Sequence, residues 1–378
     1  MLYIITEYFH PFFDAGGPIR SIENILFLFN QTYDIGLLTS NKDYKGNILP
    51  KIINSNIIKI EPKTGCRIIY ISFSFKGLNT LFKSIKFTDT IYVNGLFKPA
   101  LNFVPIIVST KLIIAPRGML QNPLLKQKWF QKRLYLSVLK FILFFKNVKW
   151  HATNLQEASE IISVFGNKSD IKVISNIPVN PCKVAKSTSK DSLCLSLVYY
   201  GLIVENKGLL ILIQTLKTLN LHISLDIYGS IKDQSYWREC IHEINTNNSQ
   251  ATFSYLGHAN PSDSQSILAK YDAFVLLTKG ENFGHSIYES LSVGTPVIIT
   301  NKTPWKFNES ANPPGWIINY NEHGFDIDTL KQTLTNLYHM NNHAYTLSSK
   351  AAHAYAVNFY NSHDFKKEYT DLFNSFDK

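Results

Sequence analysis

Two glutamates, Glu281 and Glu289, stand with seven residues between them in the run Glu281-Asn282-Phe283-Gly284-His285-Ser286-Ile287-Tyr288-Glu289, and Gly294-Thr295-Pro296 follows. Apolar runs at 273–278 and 296–300 read as buried strands on either side. Between them lie a loop with Gly280 and Gly284, a short helix from about Ser286, and a stop at Gly294 with Pro296 just beyond. A glycine-bearing loop and a helix N-terminus at the carboxyl end of a parallel strand form the usual docking place for ligands in open α/β sheets. Backbone N–H groups and the helix dipole there favour phosphate, and carboxylates accept hydrogen bonds from sugar hydroxyls. Two acids repel a simple anion. They suit a ligand with a diphosphate in the middle and a polyol at each end. Either glutamate alone reads equally well as a helix-start or solvated helix residue, so the pair in this setting carries the argument.

The elements that must position this segment form two alternating series. Strand-like runs at 2–6, 35–39, 68–71, 90–93 and 111–115 alternate with helical or loop segments, as in a βα-layered domain. A polar stretch from Asn176-Ile177-Pro178 through 186–192 has linker composition. The alternation restarts at 195–200, continues at 223–228 and 252–256, and ends with the two strands of the glutamate segment. The tail beyond Asp326 reads as helices. With 378 residues, the chain is long enough for two full cores. The reading is an N-terminal domain over 1–183, a C-terminal domain over 184–355, and a last helical segment at 356–378 that packs back on the N-terminal domain. Two such domains imply a ligand cleft between them.

Composition excludes several classes. Cys66, Cys182, Cys194 and Cys240 show neither metal spacing nor a disulfide framework, which suits a reducing compartment. Residues 1–6 already read as a strand without a basic leader, so no signal peptide is expected. The longest apolar run, 134–145, is broken by Lys140 and is too short to span a bilayer. The net charge of +10 concentrates in 90–156, which holds ten cations and no Asp or Glu. Within it, Asn122-Pro123 reads as a cap and first turn of a helix over 122–146, with Lys126, Arg133 and Lys140 seven residues apart and Trp129, Phe130, Leu134, Phe141 and Phe145 on other faces. Such a helix can lie in an anionic membrane interface or cover an ordinary core with a solvated face. No nucleic-acid recognition motif accompanies the charge, so no nucleic-acid partner is expected.

With these residues in view, the chain resembles the retaining glycosyltransferases of family 4, which have the GT-B fold of two Rossmann-like domains facing a cleft. The paired glutamates before Gly-Thr-Pro are that family's signature. Gly280-Glu281-Asn282-Phe283-Gly284-His285 and Thr303-Pro304-Trp305 resemble a bacterial subgroup that assembles surface polysaccharide of O-antigen or capsule type. Gly16-Gly17-Pro18 resembles the first βα loop, Ala115-Pro116-Arg117-Gly118-Met119-Leu120 the acceptor-side loop, and His151-Ala152-Thr153 with Glu157 the end of the N-terminal domain. Gly201 with Lys207-Gly208 resembles the donor-phosphate loop.

The resemblance implies roles. Glu281 would contact the transferred sugar and Glu289 the nucleotide ribose. Asn282, Phe283, Gly284, His285 and Ser286 would bind the donor, with Gly17 allowing close backbone approach. Lys207 would neutralise the leaving diphosphate, the task a metal performs elsewhere, so neither metal nor cofactor is expected. Gly16, Arg20, Arg117 and His10 would serve the acceptor or phosphate side. Leu202 stands where the family commonly has an arginine, which shifts the phosphate charge onto Lys207, helix N-termini, Arg20 or Arg117. Arg117 stands where many relatives have histidine; it cannot be a general base and would instead hold an anionic group. The implied activity is metal-independent, retaining transfer of a hexosyl unit from a nucleoside-diphosphate sugar to a polyprenyl-diphosphate-linked oligosaccharide. A UDP-sugar is favoured and GDP-mannose is the runner-up. The expected location is cytoplasmic and peripheral, on the inner face of the cytoplasmic membrane. A nucleotide-sugar epimerase or a non-catalytic nucleotide-sugar-binding module stays open, because one fold serves several reactions.

Overall fold

A computed structural model of the chain describes residues 1–10, 17–42, 57–60, 64–71, 79, 82, 85–87, 89–97, 103, 106–121, 129–167, 169–182, 194–246, 248–308 and 310–376. Gly16, the helix start at Asn122-Pro123, Lys126 and the linker at 186–192 lie outside the described residues. The chain divides into two compact units, one of Met1–Ile177 with Asp364–Lys378 and one of Pro178–His363.

The first unit holds an eight-stranded sheet in the order β3-β4-β2-β1-β5-β6-β7-β8. Its strands are β1 (Leu2–Thr6), β2 (Ile35–Ser40), β3 (Ile57–Ile60), β4 (Arg67–Ile71), β5 (Thr90–Asn94), β6 (Lys111–Ala115), β7 (Val148–Ala152) and β8 (Asp170–Val173). All neighbours are parallel except β3, which runs antiparallel to β4. The central strands are buried on both faces, which is why they read as unbroken apolar runs. Helix α1 (Gly17–Phe29) packs Ile22, Ile25, Leu26 and Phe29 inward. Helix α2 spans Trp129–Phe144, and α3 (Leu155–Phe165) is capped by Asn154, whose side chain accepts the Glu157 N–H.

The second unit holds a six-stranded parallel sheet in the order β11-β10-β9-β12-β13-β14. These strands are β9 (Leu195–Tyr200), β10 (Ile223–Tyr228), β11 (Thr252–Gly257), β12 (Ala273–Leu276), β13 (Val297–Thr300) and β14 (Gly315–Ile318). Helices α4 (Leu209–Lys217), α5 (Gln234–Asn245), α6 (Ser264–Leu268), α7 (His285–Ser292) and α8 (Ile327–His339) connect or flank them. A two-stranded hairpin, β15 (Tyr320–Asn321) with β16 (Gly324–Phe325), precedes α8. Helix α9 (Asn342–Asn361) closes the unit, and the last helix, α10 (Phe365–Phe373), belongs to the first unit. There Phe373 meets Phe29 and Tyr92, and Tyr369 meets His151. The sequence contains one Asp-x-Asp, Asp326-Ile327-Asp328. It is a helix start: Asp326 caps α8, its two oxygens taken by the Thr329 N–H and hydroxyl.

Candidate functional site

In the second sheet the strand order reverses between β9 and β12, a switch point of the kind whose crevice takes ligands in open α/β sheets. Residues 201–208 leave β9, and residues 277–284 leave β12. Several bonds join the two loops. The Asn206 carbonyl accepts the Lys279 N–H at 2.8 Å and the Thr278 hydroxyl at 3.2 Å. Lys279 Nζ reaches Glu205 Oε1 at 2.6 Å, and Lys207 Nζ reaches Glu281 Oε2 at 2.5 Å. Gly208, at φ 70°, allows this approach: a Cβ there would stand 2.1 Å from the Leu277 carbonyl oxygen. Lys207 and Glu281, from motifs far apart in sequence, thus form one ion pair at the crevice.

The glutamate segment is held from beneath. The Glu281 N–H donates to the Lys302 carbonyl, and its Oε1 accepts the Asn282 N–H at 3.1 Å. Phe283 is buried against His285, Tyr288, Trp305 and Phe359, and its carbonyl accepts the Trp305 indole N–H at 2.5 Å. That bond explains why Thr303-Pro304-Trp305 accompanies the segment. Gly284 turns into α7 at φ 79°, with no side chain capping the helix start. Such a start presents first-turn N–H groups to an anion. Ser286 is half-buried, and His285 and Glu289 follow one another on one face of α7. Glu289 is only 5% exposed. Thr295 anchors the helix end: its N–H donates to the Ser290 carbonyl and its hydroxyl to the Leu268 carbonyl. Beneath the loop after β9, Tyr199 donates to the Leu202 carbonyl at 2.7 Å. Burial, with smaller contributions from Tyr236, Cys240 and Glu281, pushes the Tyr199 phenol well above its ordinary pKa. Leu202 therefore serves this loop through its backbone.

In the first unit, Gly17 begins α1. His10 Nε2 bonds to Glu23 Oε1, and Arg20 approaches the other Glu23 oxygen at 3.5 Å. His10, Arg20 and Glu23 thus form one charged group at the start of α1. Arg117 turns inward. At φ 58° its Nε donates to Asn94 Oδ1 at 2.6 Å, Nη1 to Asn176 Oδ1, and Nη2 to the Tyr92 hydroxyl at 2.5 Å. Burial opposes the guanidinium charge, but Tyr92, Tyr369 and Glu157 outweigh it and hold Arg117 as the cation. His151 Nε2–H donates to the Ile174 carbonyl, so Nδ1 accepts from the Tyr92 hydroxyl at 2.7 Å. Burial, with Arg117 nearby, lowers the His151 pKa to about 3 and keeps the ring neutral. The buried Glu157 accepts from Gly118 N at 2.6 Å and from the Thr153 N–H and hydroxyl at 2.7 Å, joining the loop after β6 to the end of β7.

The structure brings Lys207, Glu281 and the α7 start together within the second unit, and His10 and Arg20 together within the first. Sequence reasoning missed Tyr92, Asn94, Asn176 and Tyr369 around Arg117. The available signal was Tyr-Val-Asn at the end of an apolar strand, polar groups where β5 would otherwise continue its buried run.

Residues 186–352 match the family model described as Glycosyl transferases group 1, a stretch that includes Lys207, Glu281 and Glu289. The chain is 26% identical over 189 residues to the lipopolysaccharide core biosynthesis glycosyltransferase LpsE of Rhizobium meliloti (strain 1021), covering 49% of this chain and 51% of that protein. The chain therefore spans about half the length of this curated relative. Among solved structures, sucrose-phosphate synthase of Thermosynechococcus elongatus superposes with a TM-score of 0.77 at 14% identity, over 99% of this chain and 98% of that one. Anabaena HepE in complex with UDP-glucose gives 0.72 at 14% identity, over 100% of this chain and 99% of that one. The fold is GT-B, and the stretch 186–352 is similar in sequence to the group 1 glycosyltransferases.

Proposed function

We propose that the chain is a retaining, metal-independent glycosyltransferase of family 4. It transfers a hexosyl unit from a nucleoside-diphosphate sugar to a lipid-linked oligosaccharide in surface-polysaccharide assembly, of O-antigen or capsule type. The observation that carries this reading is the Lys207–Glu281 ion pair at the β9/β12 crevice, beside an uncapped helix start. An ammonium and helix N–H groups suit a diphosphate, and the adjacent carboxylate suits sugar hydroxyls. A diphosphate entering this crevice competes with Glu281 for Lys207, which releases the carboxylate to the hexose. Glu289 takes the ribose. In the reaction the acceptor oxygen bonds to the anomeric carbon as the bond from that carbon to the diphosphate oxygen breaks. The acceptor's proton passes to the departing diphosphate on the same face. The UDP-glucose complex of HepE supports a UDP-sugar donor, with GDP-mannose second, and the LpsE likeness supports a polysaccharide product.

The test is thermal shift with UDP, GDP, UDP-glucose and GDP-mannose, followed by an assay for released nucleoside diphosphate. A ligand at about one hundred times its Kd adds roughly 2.7 kcal/mol to the folded state. A UDP-sugar should raise Tm by several degrees, and release of UDP should speed up when membranes carrying the acceptor are added. An epimerase would alter the donor sugar without acceptor. No shift with any of these nucleotides removes the reading.

Membrane docking through α2 belongs to the same proposal. Phe130, Phe141 and Phe144 on this helix are 71%, 69% and 81% exposed, and Leu139 and Leu143 are its buried residues. Arg133 lies 5.2 Å over the Trp129 ring. No helix among the described residues is long and apolar enough to cross a membrane. Exposed aromatics interleaved with cations match a helix lying in the headgroup layer of an anionic bilayer, and the protein would sit on the inner face of the cytoplasmic membrane. Each surface cation is worth about 1 kcal/mol there. Reversing Arg133 and Lys140 to Glu should lower binding to phosphatidylglycerol vesicles by roughly 30-fold or more. Unchanged sedimentation with vesicles would return the helix to an ordinary solvated face.

A further inference from the structure

β5 ends at Asn94, where the strand order of the first sheet reverses between β1 and β5. Its register partners are Thr6 on β1 and Ala115 on β6. Such reversals are where ligands bind in open α/β sheets. Asn94 is 6% exposed, and its Nδ2 has no hydrogen-bond acceptor among the described residues. The amide cannot turn over to find one. Its Oδ1 receives Arg117 Nε at 2.6 Å, and a flipped amide would set N–H groups against a guanidinium that has only donors. The NH2 group is thus fixed on the side away from Arg117.

Arg117 is equally committed. Its bonds end on neutral oxygens, those of Asn94, Asn176 and the Tyr92 and Tyr369 hydroxyls, and its backbone has the positive φ that L-residues avoid. Tyr92 cannot turn away, because its proton goes to the neutral His151 ring. An unpaired buried donor and a strained backbone each destabilise the fold, and here they touch. Together they hold one amide N–H pair at the ligand end of the sheet. We propose that Asn94 Nδ2 is the binding donor of an acceptor-side subsite that takes a neutral sugar oxygen, hydroxyl or amide carbonyl. Arg117 is its positioning residue and does not hold an anion. A neutral N–H suits such an oxygen, and the buried Glu157 beside Arg117 disfavours a phosphate. This subsite rests on the transferase reading above.

The experiment compares the full-length wild type with Asn94→Asp and Arg117→Lys. The donor is a radiolabelled UDP-sugar that stabilises the wild type, and membranes from cells lacking the gene supply the accumulated acceptor. Asn94→Asp keeps an oxygen for Arg117, removes the N–H pair and adds a carboxylate charge that the guanidinium faces. Its Tm should equal or exceed that of the wild type, its transfer to membranes should fall about tenfold or more, and its donor KM should stay put. Arg117→Lys should raise the acceptor requirement by a smaller factor, because Asn94 remains to make the contact. A clear fall in Tm for Asn94→Asp, or failure to fold, means that Nδ2 already has a partner and overturns the proposal. Full transfer at undiminished Tm means that the amide serves only water, and overturns it as well. A larger loss for Arg117→Lys than for Asn94→Asp makes Arg117 the contact and also overturns it. If the wild type itself neither binds nor consumes a nucleotide sugar, the transferase reading falls instead, and the Tm comparison still reports on the amide.

Discussion

Glu281→Gln is expected to lower glycosyl transfer by about 10²–10³-fold, the loss typical when a group aimed at the reacting centre is removed. The same change should leave nucleoside-diphosphate affinity intact or improved. The carboxylate holds Lys207 at 2.5 Å, and in the proposed complex the diphosphate draws Lys207 from it. An amide competes for the ammonium far less well, so the ground-state complex gains while the transition state loses. Glu289→Ala should do the reverse, raising the donor KM with a smaller effect on kcat. Isothermal titration with UDP and a steady-state assay of UDP release give both numbers. Equal loss of binding and turnover in Glu281→Gln would mean that the residue merely braces its loop, and the site assignment would fail.

Gly208→Ala should be strongly destabilising. At φ 70° an alanine bears a left-handed penalty of about 1–2 kcal/mol. Its Cβ would also lie 2.1 Å from the Leu277 carbonyl oxygen, which is backbone of the neighbouring loop and cannot rotate away. Overpacking of that kind adds roughly 1–3 kcal/mol. The combined loss corresponds to a fall in Tm of roughly 5–15 °C for a unit of this size. Gly201→Ala is the internal control. There the nearest atom to a new Cβ is a Leu276 methyl at 3.8 Å, ordinary contact, and φ is not positive. Calorimetry showing equal effects at both glycines would contradict the close approach of the two loops. Since Lys207 precedes Gly208, the alanine should also misplace the ammonium and weaken UDP binding.

The contrast between these glycines shows what the sequence could tell. Gly201 and Lys207-Gly208 were visible together as one motif, yet only Gly208 is required by backbone geometry. The strands of both units were legible because parallel strands covered on both faces need continuous apolar runs, as in Ala273–Leu276 and Val297–Thr300. Ile57–Ile60 was not read as a strand, and neither were Val148–Ala152 and Asp170–Val173, since β7 carries Lys149 and His151 and β8 is a largely exposed edge. Gly315–Ile318 was hidden by the glycine that opens it after two prolines. At the site, Lys207 and Glu281 could each be singled out by motif, but their contact depends on β9 and β12 being neighbours in space. The Arg117 network was missed for a different reason. Tyr92, Asn94, Asn176 and Tyr369 are unremarkable polar residues until the fold gathers them around one guanidinium.

The last helix has a consequence for how the chain is made. Tyr369, Leu372 and Phe373 fill the core of the first unit against Phe29, Tyr92 and His151, although the whole second unit separates them from it in sequence. The second unit, Pro178–His363, is one continuous stretch and has all its residues before α10 is synthesised. The first unit thus receives its closing helix only after the second unit has been synthesised, and until then its aromatic seam stays open. A ribosome that stops short of residue 364 leaves a complete second unit joined to a first unit without its closing helix.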